Sequence, residues 1–252
     1  MLGTDRLSGL EKLLARKSVG RILRRFLRPP EIAANPVAVR QAYRLWSSTY
    51  AKETLPHYLD GELAHAMLQG LPRIHLLDAG CGAGSRIRDI PGAVGIDLSP
   101  EMLAAGGLHN VIAGDIREMP FTSEQFDMVW CRLVIGHLLD PLPAYREFCR
   151  VCIPGGYVFV SDFHPDATLA GHRRTFNDQA GIVYKVEHYE RTNHAEQASQ
   201  AGLDLVATRD GAVGPSARAF YIHGIGRRAY LRDFGLNLVR GYLFRRPKNV
   251  RL

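Results

Sequence analysis

Cysteine is scarce, with four in 252 residues, and the four do not form the framework of a small secreted domain. That scarcity excludes a scaffold built on disulfides and makes a reducing cytoplasm the expected compartment. No apolar run approaches the length needed to cross a bilayer, so an integral membrane protein is excluded as an expectation. The first residues scatter charges through their apolar positions, which is not the pattern of a signal peptide. Internal repeats and low-complexity tracts are also absent. What is there suffices for a substantial core: 46% of the residues are apolar and 23% charged, which excludes a disordered chain.

Charge is unevenly placed. Residues 1–30 carry +6 and residues 227–252 carry +7, which leaves −6 for residues 31–226 in a chain of net charge +7. The first 30 residues read as a basic amphipathic arm, with Leu7, Leu10, Leu14, Ile22, Leu23, Phe26 and Leu27 at mostly helical spacing among lysines and arginines. Such an arm either lies on an anionic membrane surface or presents a solvated face. Pro29 and Pro30 end it. Asn35 and Pro36 then read as the N-cap and first position of a helix through Tyr43, Trp46 and Tyr50.

The densest signal is Ile74 to Gly84, IHLLDAGCGAG. A mostly apolar run ends in Asp78 and then in glycines at alternate positions, Gly80, Gly82 and Gly84, which is a buried strand entering a turn that lies against a ligand. The G-x-G-x-G spacing is not the dinucleotide-binding G-x-G-x-x-G. Three further blocks follow: an apolar run ending in Asp97, a second ending in Asp115, and Phe126 to Trp130 followed by Cys131 and Arg132. An acid at the end of the second strand can accept from both hydroxyls of a ribose.

The ordered series LLDAGCGAG, GIDLSPEML, GDIREMPF, FDMVWC and REFCRVCIPGGYVFVSDF resembles the motifs of the class I S-adenosylmethionine-dependent methyltransferases. It is most similar to their small-molecule branch, which includes the ubiquinone/menaquinone C-methyltransferases and many natural-product methyltransferases. The likeness is strong over residues 74–163 and looser at the flanks. It implies one α/β domain over residues 31–252: a Rossmann-like, seven-stranded, mostly parallel sheet with an antiparallel last strand and helices on both faces, preceded by the helical extension. It also implies a substrate lid around residues 163–193. By position in the family pattern, Asp78, Gly80, Gly82 and Gly84 face the methionine part of S-adenosylmethionine, Asp97 takes the ribose hydroxyls and Leu98 packs beside the adenine. Asp115 accepts from the adenine amino group, the Ile116 amide meets a ring nitrogen, and Cys131 completes the cofactor-binding set.

Expected activity is methyl transfer to oxygen or carbon of a small, hydrophobic or aromatic molecule. His137 and His164, each just past a strand at the ligand-binding edge of the sheet, are the candidate bases. The alternatives are a cofactor-binding fold put to a non-methylating task, and an NAD(P) oxidoreductase, which the glycine spacing disfavours. No metal site is expected: Cys149 and Cys152 have no second pair to complete a tetrahedral set and read as packing. Nucleic acid is disfavoured as substrate, since the chain has CRLV after the fourth strand where amino-methylating nucleic-acid enzymes carry Asn/Asp-Pro-Pro-Tyr. The basic termini are expected to add peripheral contact with anionic membrane, and oligomeric state is left open.

Overall fold

The computed structural model describes residues 9, 33–47, 49–50 and 54–248. The basic arm over residues 1–30 lies outside them, residue 9 excepted. Seven strands form the main sheet: β2 (Leu76–Ala79), β3 (Val94–Asp97), β4 (Val111–Ala113), β5 (Phe126–Arg132), β6 (Cys152–Phe163), β9 (Asp204–Ala212) and β10 (Asn237–Arg245). Their order is β4-β3-β2-β5-β6-β10-β9, and β10 alone runs antiparallel to its neighbours, as expected. All seven residues of β5 are buried, the signature of a parallel strand covered on both faces. Its central apolar run, Met128–Cys131, follows from that position. Helices α2 (Leu55–Leu68), α3 (Pro100–Gly106), α4 (Leu142–Val151) and α6 (His194–Gln200) flank this sheet. Among the described residues no helix is long and apolar enough to cross a membrane.

Several elements differ from the sequence expectation. Asn35–Val37 is a strand, β1, pairing in parallel with β8 (Val183–Val186), and helix α1 (Val39–Trp46) begins only afterwards. Pro36 has no N–H to lose at this edge position, so a local helix-start signal yields to long-range pairing. Ser85–Ile90 forms no helix. Ile87 N donates to the Gly84 carbonyl at 3.1 Å and Ile90 N to that of Ile87 at 3.1 Å, and Pro91 leaves no room for a further turn. The sequence pattern predicts one helix from Pro215 to Leu231, but it breaks at Gly226, with φ 104° and ψ 160°, after α7 (Arg218–Phe220) and a π turn over Tyr221–Ile225, and α8 (Arg227–Asp233) resumes beyond it. The sequence also predicts that Pro154, Gly155 and Gly156 turn the chain into a fifth strand over Tyr157–Asp162, but that strand, β6, begins at Cys152, ahead of them.

Residues 163–193 build α5 (Pro165–Leu169), β7 (Thr175–Asn177) and β8, and β7 and β8 join β1 in a second sheet of order β1-β8-β7. Trp46 of α1 stacks on Phe176 of β7 with centroids 4.8 Å apart and planes 11° apart, and Val37, Ala42 and Val186 close the same small core. The leading helix and the 163–193 segment are therefore one packed unit.

A second tie joins this segment to α8. Asp233 accepts from Arg232 Nε at 2.7 Å and from the Tyr221 hydroxyl at 2.9 Å, and His172 Nε2 lies 3.2 Å from its Oδ2. Burial works against the charge, but the bonds from Arg232 and His172 outweigh it and hold the carboxyl down to about 2. With the folded value below the unfolded one of about 3.9, the stabilisation is present above pH ~4 and is lost as pH falls towards 2. Asp233→Asn is expected to cost about 1–3 kcal/mol at pH 7 and about half of that at pH 3, read by urea unfolding at both. An equal loss at the two pH values would show that the carboxylate charge is not what stabilises.

Candidate functional site

The carboxyl ends of β2, β3 and β4 are neighbours on one edge of the sheet, and each carries or leads into an acid: Asp78, Asp97 and Asp115. Asp78 is fully buried, and neither carboxylate oxygen has a hydrogen-bond partner. Arg86 Nη1 stands 3.9 Å away, and its Nη2 donates to the Arg132 carbonyl at 3.5 Å. Burial pushes the Asp78 carboxyl up, opposed by Arg86 and then Arg132.

Past Asp78 the chain turns through Gly80, Gly82 and Gly84 with φ of 82°, 57° and 69°, a left-handed path that glycine takes without strain. Gly80 N and Cys81 N both donate to the Ile96 carbonyl, at 2.7 and 3.1 Å, which lays the turn across β3. Asp97 then pins it: Oδ2 accepts from Gly82 N at 2.7 Å and Oδ1 from Ser99 N at 2.9 Å. Burial raises the Asp97 carboxyl against these two amides. Ser99 caps α3 by accepting from Met102 N at 3.3 Å. Next to it Leu98 is 46% exposed, an apolar side chain left without cover, while Ile116 is buried. Asp115 accepts from Arg117 Nη2 at 2.6 Å, and that guanidinium holds its carboxyl below the usual range. Cys131 is fully buried inside β5, where burial and then the Asp78 charge push its thiol far up.

Sequence reasoning missed Gly106, whose role lies in space. A Cβ there would sit 2.1 Å from the Ala83 carbonyl oxygen, so α3 approaches the glycine turn only because position 106 is bare. Gly106→Ala is expected to push α3 off the turn at a cost of about 1–3 kcal/mol, seen as a lowered unfolding midpoint; an unchanged midpoint would show that the helix has room to move.

A cavity of ≈ 250 Å³ opens between the α1–α2 region and the 163–193 segment, with Trp46, His57, Leu133, Phe163, Arg174 and Tyr221 among its walls. Leu133, directly after β5, has φ 58°, a strained value for a branched apolar residue and one that clusters at ligand sites. Tyr50 lies against Gly82, and its hydroxyl is 3.3 Å from His57 Nε2, so Tyr50 and His57 bridge the turn and the cavity. Burial pushes Tyr50 up to about 12, and burial followed by Arg86 and Arg174 pushes His57 down to about 3. His57 is thus neutral, with Nδ1 2.7 Å from the Thr54 hydroxyl.

His137 closes a turn, Ile135–His137, after β5. Nδ1 meets the Glu187 carbonyl at 2.7 Å and must donate, so Nε2 accepts from the Tyr43 hydroxyl at 2.9 Å, and Tyr43 in turn accepts from Arg174 Nη2 at 2.9 Å. Burial, then Arg174, holds His137 well below its ordinary value. His164 stands elsewhere. Its Nδ1 accepts from Asp166 N at 3.0 Å as the cap of α5, and Nε2 lies 3.6 Å from Asp210. Burial and then Arg240 lower its pKa. His57, Arg86 and Arg174 were not singled out by sequence reasoning, whereas Tyr50 was placed with Tyr43 and Trp46 on the leading helix. Arg86 had a usable signal, since a cation directly after the glycine turn must lie beside Asp78. Arg174 had none: Arg173 precedes it and also lines the cavity, and only the fold decides which of the two has N–H groups shut off from water. Among the described residues no cluster of histidine, cysteine and acidic side chains has metal-binding geometry.

Residues 77–160 match the family model described as a methyltransferase domain. Over 178 residues the chain is 30% identical to malonyl-acyl-carrier-protein O-methyltransferase of Dechloromonas aromatica, covering 67% of this chain and 66% of that enzyme. Over 143 residues it is 32% identical to the ubiquinone biosynthesis O-methyltransferase of Ralstonia nicotianae, covering 50% and 59%. The chain spans about two thirds or less of the length of these curated relatives. An S-adenosylmethionine-dependent methyltransferase from Mesorhizobium loti shares the fold, with TM-score 0.57, 17% identity and coverage of 76% of this chain and 100% of that one. On its motif series, its matched domain and its sheet, this chain belongs to the class I S-adenosylmethionine-dependent methyltransferases.

Proposed function

We propose that this protein transfers a methyl group from S-adenosylmethionine to oxygen or carbon of a small molecule with an apolar or aromatic body. The observation that carries the reading is Asp78, a buried carboxylate with no hydrogen-bond partner on either oxygen and only the Arg86 guanidinium 3.9 Å away, beneath a turn of three left-handed glycines. Leaving such a group unmet costs several kcal/mol, and the ammonium of a methionyl moiety is the complement it lacks. Asp97 spends one lone pair of each oxygen on the backbone and keeps the others for ribose hydroxyls. Exposed Leu98 and buried Ile116 supply the walls of an adenine slot, and Asp115 an acceptor for its amino group. Cys131 supports the slot from the core side of β5. These residues fit the cofactor.

When bound, S-adenosylmethionine supplies a methyl already activated by its sulfonium, so the protein's task is chiefly alignment and exclusion of water. Trp46, Leu133 and Phe163 provide the apolar walls that do this. The 163–193 segment acts as the substrate lid, packed on α1 through Phe176. Where the acceptor must lose a proton, His137 is the better placed imidazole: Tyr43 links it to Arg174 of the cavity wall, whereas His164 caps α5 and has no such link.

Calorimetry with S-adenosylhomocysteine, followed by transfer of labelled methyl into a panel of phenols and acidic carbon compounds, tests this reading. Saturable binding and labelled product are expected; binding of NAD in place of S-adenosylhomocysteine would sink it. The basic arm and C-terminus support a further part of the reading, peripheral contact with anionic lipid in a cytoplasmic setting. Co-sedimentation with phosphatidylserine vesicles should fall on deletion of residues 1–28, and sedimentation unchanged by the deletion would remove that part.

A further inference from the structure

Arg174 is placed at the cavity in a way that neither its packing nor its hydrogen bonds explain. Its backbone is fixed, since the Arg174 carbonyl accepts from Val186 N at 2.9 Å as β8 runs past. The guanidinium centre lies 5.0 Å from the Phe163 ring centroid, a cation–π contact that sets its plane. Nη2 donates to the Tyr43 hydroxyl at 2.9 Å. Nε and Nη1, however, are shut off from water and have no acceptor. No carboxylate of the described residues forms an ion pair with this arginine, and no aspartate or glutamate lines the cavity. His57, across the cavity, is neutral. The neighbouring Arg173, by contrast, is exposed and bonded to the Thr168 and His172 carbonyls.

A half-buried guanidinium with two buried, unmet N–H groups and no counter-charge is unfavourable unless an acceptor completes it, and an anion does so best. Trp46, Leu55, Leu133, Phe163 and Leu238 among the walls fit a hydrocarbon body, and Arg173, the other guanidinium on the lining, already spends Nη1 on the Thr168 and His172 carbonyls. The geometry points to Arg174 as the anchor for a carboxylate: the molecule this site takes is a small acid with an apolar or aromatic body, its carboxylate bonded to Arg174 and its body against Trp46, Phe163 and Tyr221. This deepens the methyl-transfer reading and rests on it for the identity of the cavity as the acceptor site. Arg174 acts here in binding and specificity. The anchored carboxylate is a handle, and Tyr43, which accepts from Nη2, holds the guanidinium edge still while the acid enters.

The test uses the full chain and three matched pairs of probes: benzoate and benzamide, octanoate and octanamide, 2-naphthoate and 2-naphthamide. Each is titrated by calorimetry with and without saturating S-adenosylhomocysteine. At least one carboxylate is expected to bind about tenfold or more tightly than its amide, the size of one charge-assisted bond. In Arg174→Gln that preference should shrink to about threefold or less, on the scale of a neutral contact, in a variant whose thermal melt stays cooperative. If no pair shows a carboxylate preference in the unmodified protein, or if the preference survives in Arg174→Gln, the anchor is overturned. The unmodified protein decides alone should the variant not fold. S-adenosylhomocysteine binding without carboxylate preference sinks the anchor and spares the methyl-transfer reading; carboxylate preference without S-adenosylhomocysteine binding does the reverse.

Discussion

Asp97→Ala is expected to weaken S-adenosylhomocysteine binding by on the order of a hundredfold or more, since two charge-assisted hydrogen bonds of about 1.5–3 kcal/mol each lie between this carboxylate and the turn. Oδ2 holds Gly82 N at 2.7 Å and Oδ1 holds Ser99 N at 2.9 Å, so the side chain fastens the turn to the start of α3 before any ligand arrives. Its loss frees a backbone path that only glycines tolerate and takes away the proposed ribose acceptor as well. Asp97→Asn should cost less, because one oxygen remains, but its amide group must then face either the Gly82 or the Ser99 N–H, donor against donor. Asp115→Ala is the contrasting case. That carboxylate is about a third exposed and already neutralised by Arg117, so a loss of roughly tenfold or less is expected, the size of a partly screened contact. Calorimetric titration of the three variants gives the ranking. Affinity of Asp97→Ala within threefold of the parent, on the scale of a single neutral contact, would mean that this acid is an ordinary strand end.

What was readable beforehand follows from what is local. Short apolar runs with an acid at or just past their ends mark three neighbouring strands, so β2, β3 and β4 with Asp78, Asp97 and Asp115 could be placed from residue order, and β5, buried on both faces, from its run Met128–Cys131. Ser99-Pro100 is an equally local signal, an N-cap followed by proline at the first helical position, and it opens α3. Local rules failed where distant partners decide. Asn35–Pro36 carries a sound helix-start pattern, yet Pro36 pairs with Lys185, about 150 residues on. His137 and His164 look equivalent, each a histidine just past a strand. The difference is that the Glu187 carbonyl and the Tyr43 hydroxyl reach the first, while the second turns to cap its own helix. Arg173 and Arg174 differ only through the strand that follows them. The same limit hid the ion pair beneath the site, whose two members are 72 positions apart.

That ion pair carries the largest stability effect. Asp60 of α2 is fully buried; Arg132 Nε and Nη2, at the end of β5, donate to its Oδ2 at 2.9 and 2.8 Å, and the Ser161 hydroxyl donates to Oδ1 at 2.5 Å. The guanidinium also lies 5.3 Å from the Trp130 centroid, so methionine can replace its bulk but not its charge. Arg132→Met leaves a buried carboxylate with one hydroxyl for company, and a loss of about 3–5 kcal/mol is expected, a large share of an ordinary domain's stability. Removing both charges differs in kind from removing one: Arg132→Met with Asp60→Leu should recover most of the loss, because the pair's desolvation cost disappears with it. The double variant also reports on the site. Asp60 and Arg132 act on the Asp78 carboxyl in opposite senses, Asp60 raising it and Arg132 lowering it. Arg132→Met alone removes one of the two guanidinium charges that lower Asp78 while Asp60 still raises it, favours the protonated form of Asp78 and should weaken S-adenosylhomocysteine binding at pH 7, whereas the double variant restores much of the affinity. Urea unfolding and calorimetry on the three proteins give both readings. If Arg132→Met loses under 1 kcal/mol, well short of a broken buried pair, Asp60 reaches water and the argument for the pair fails. If stability returns in the double variant but affinity does not, Asp78 feels the Arg132 side chain through packing and not through charge.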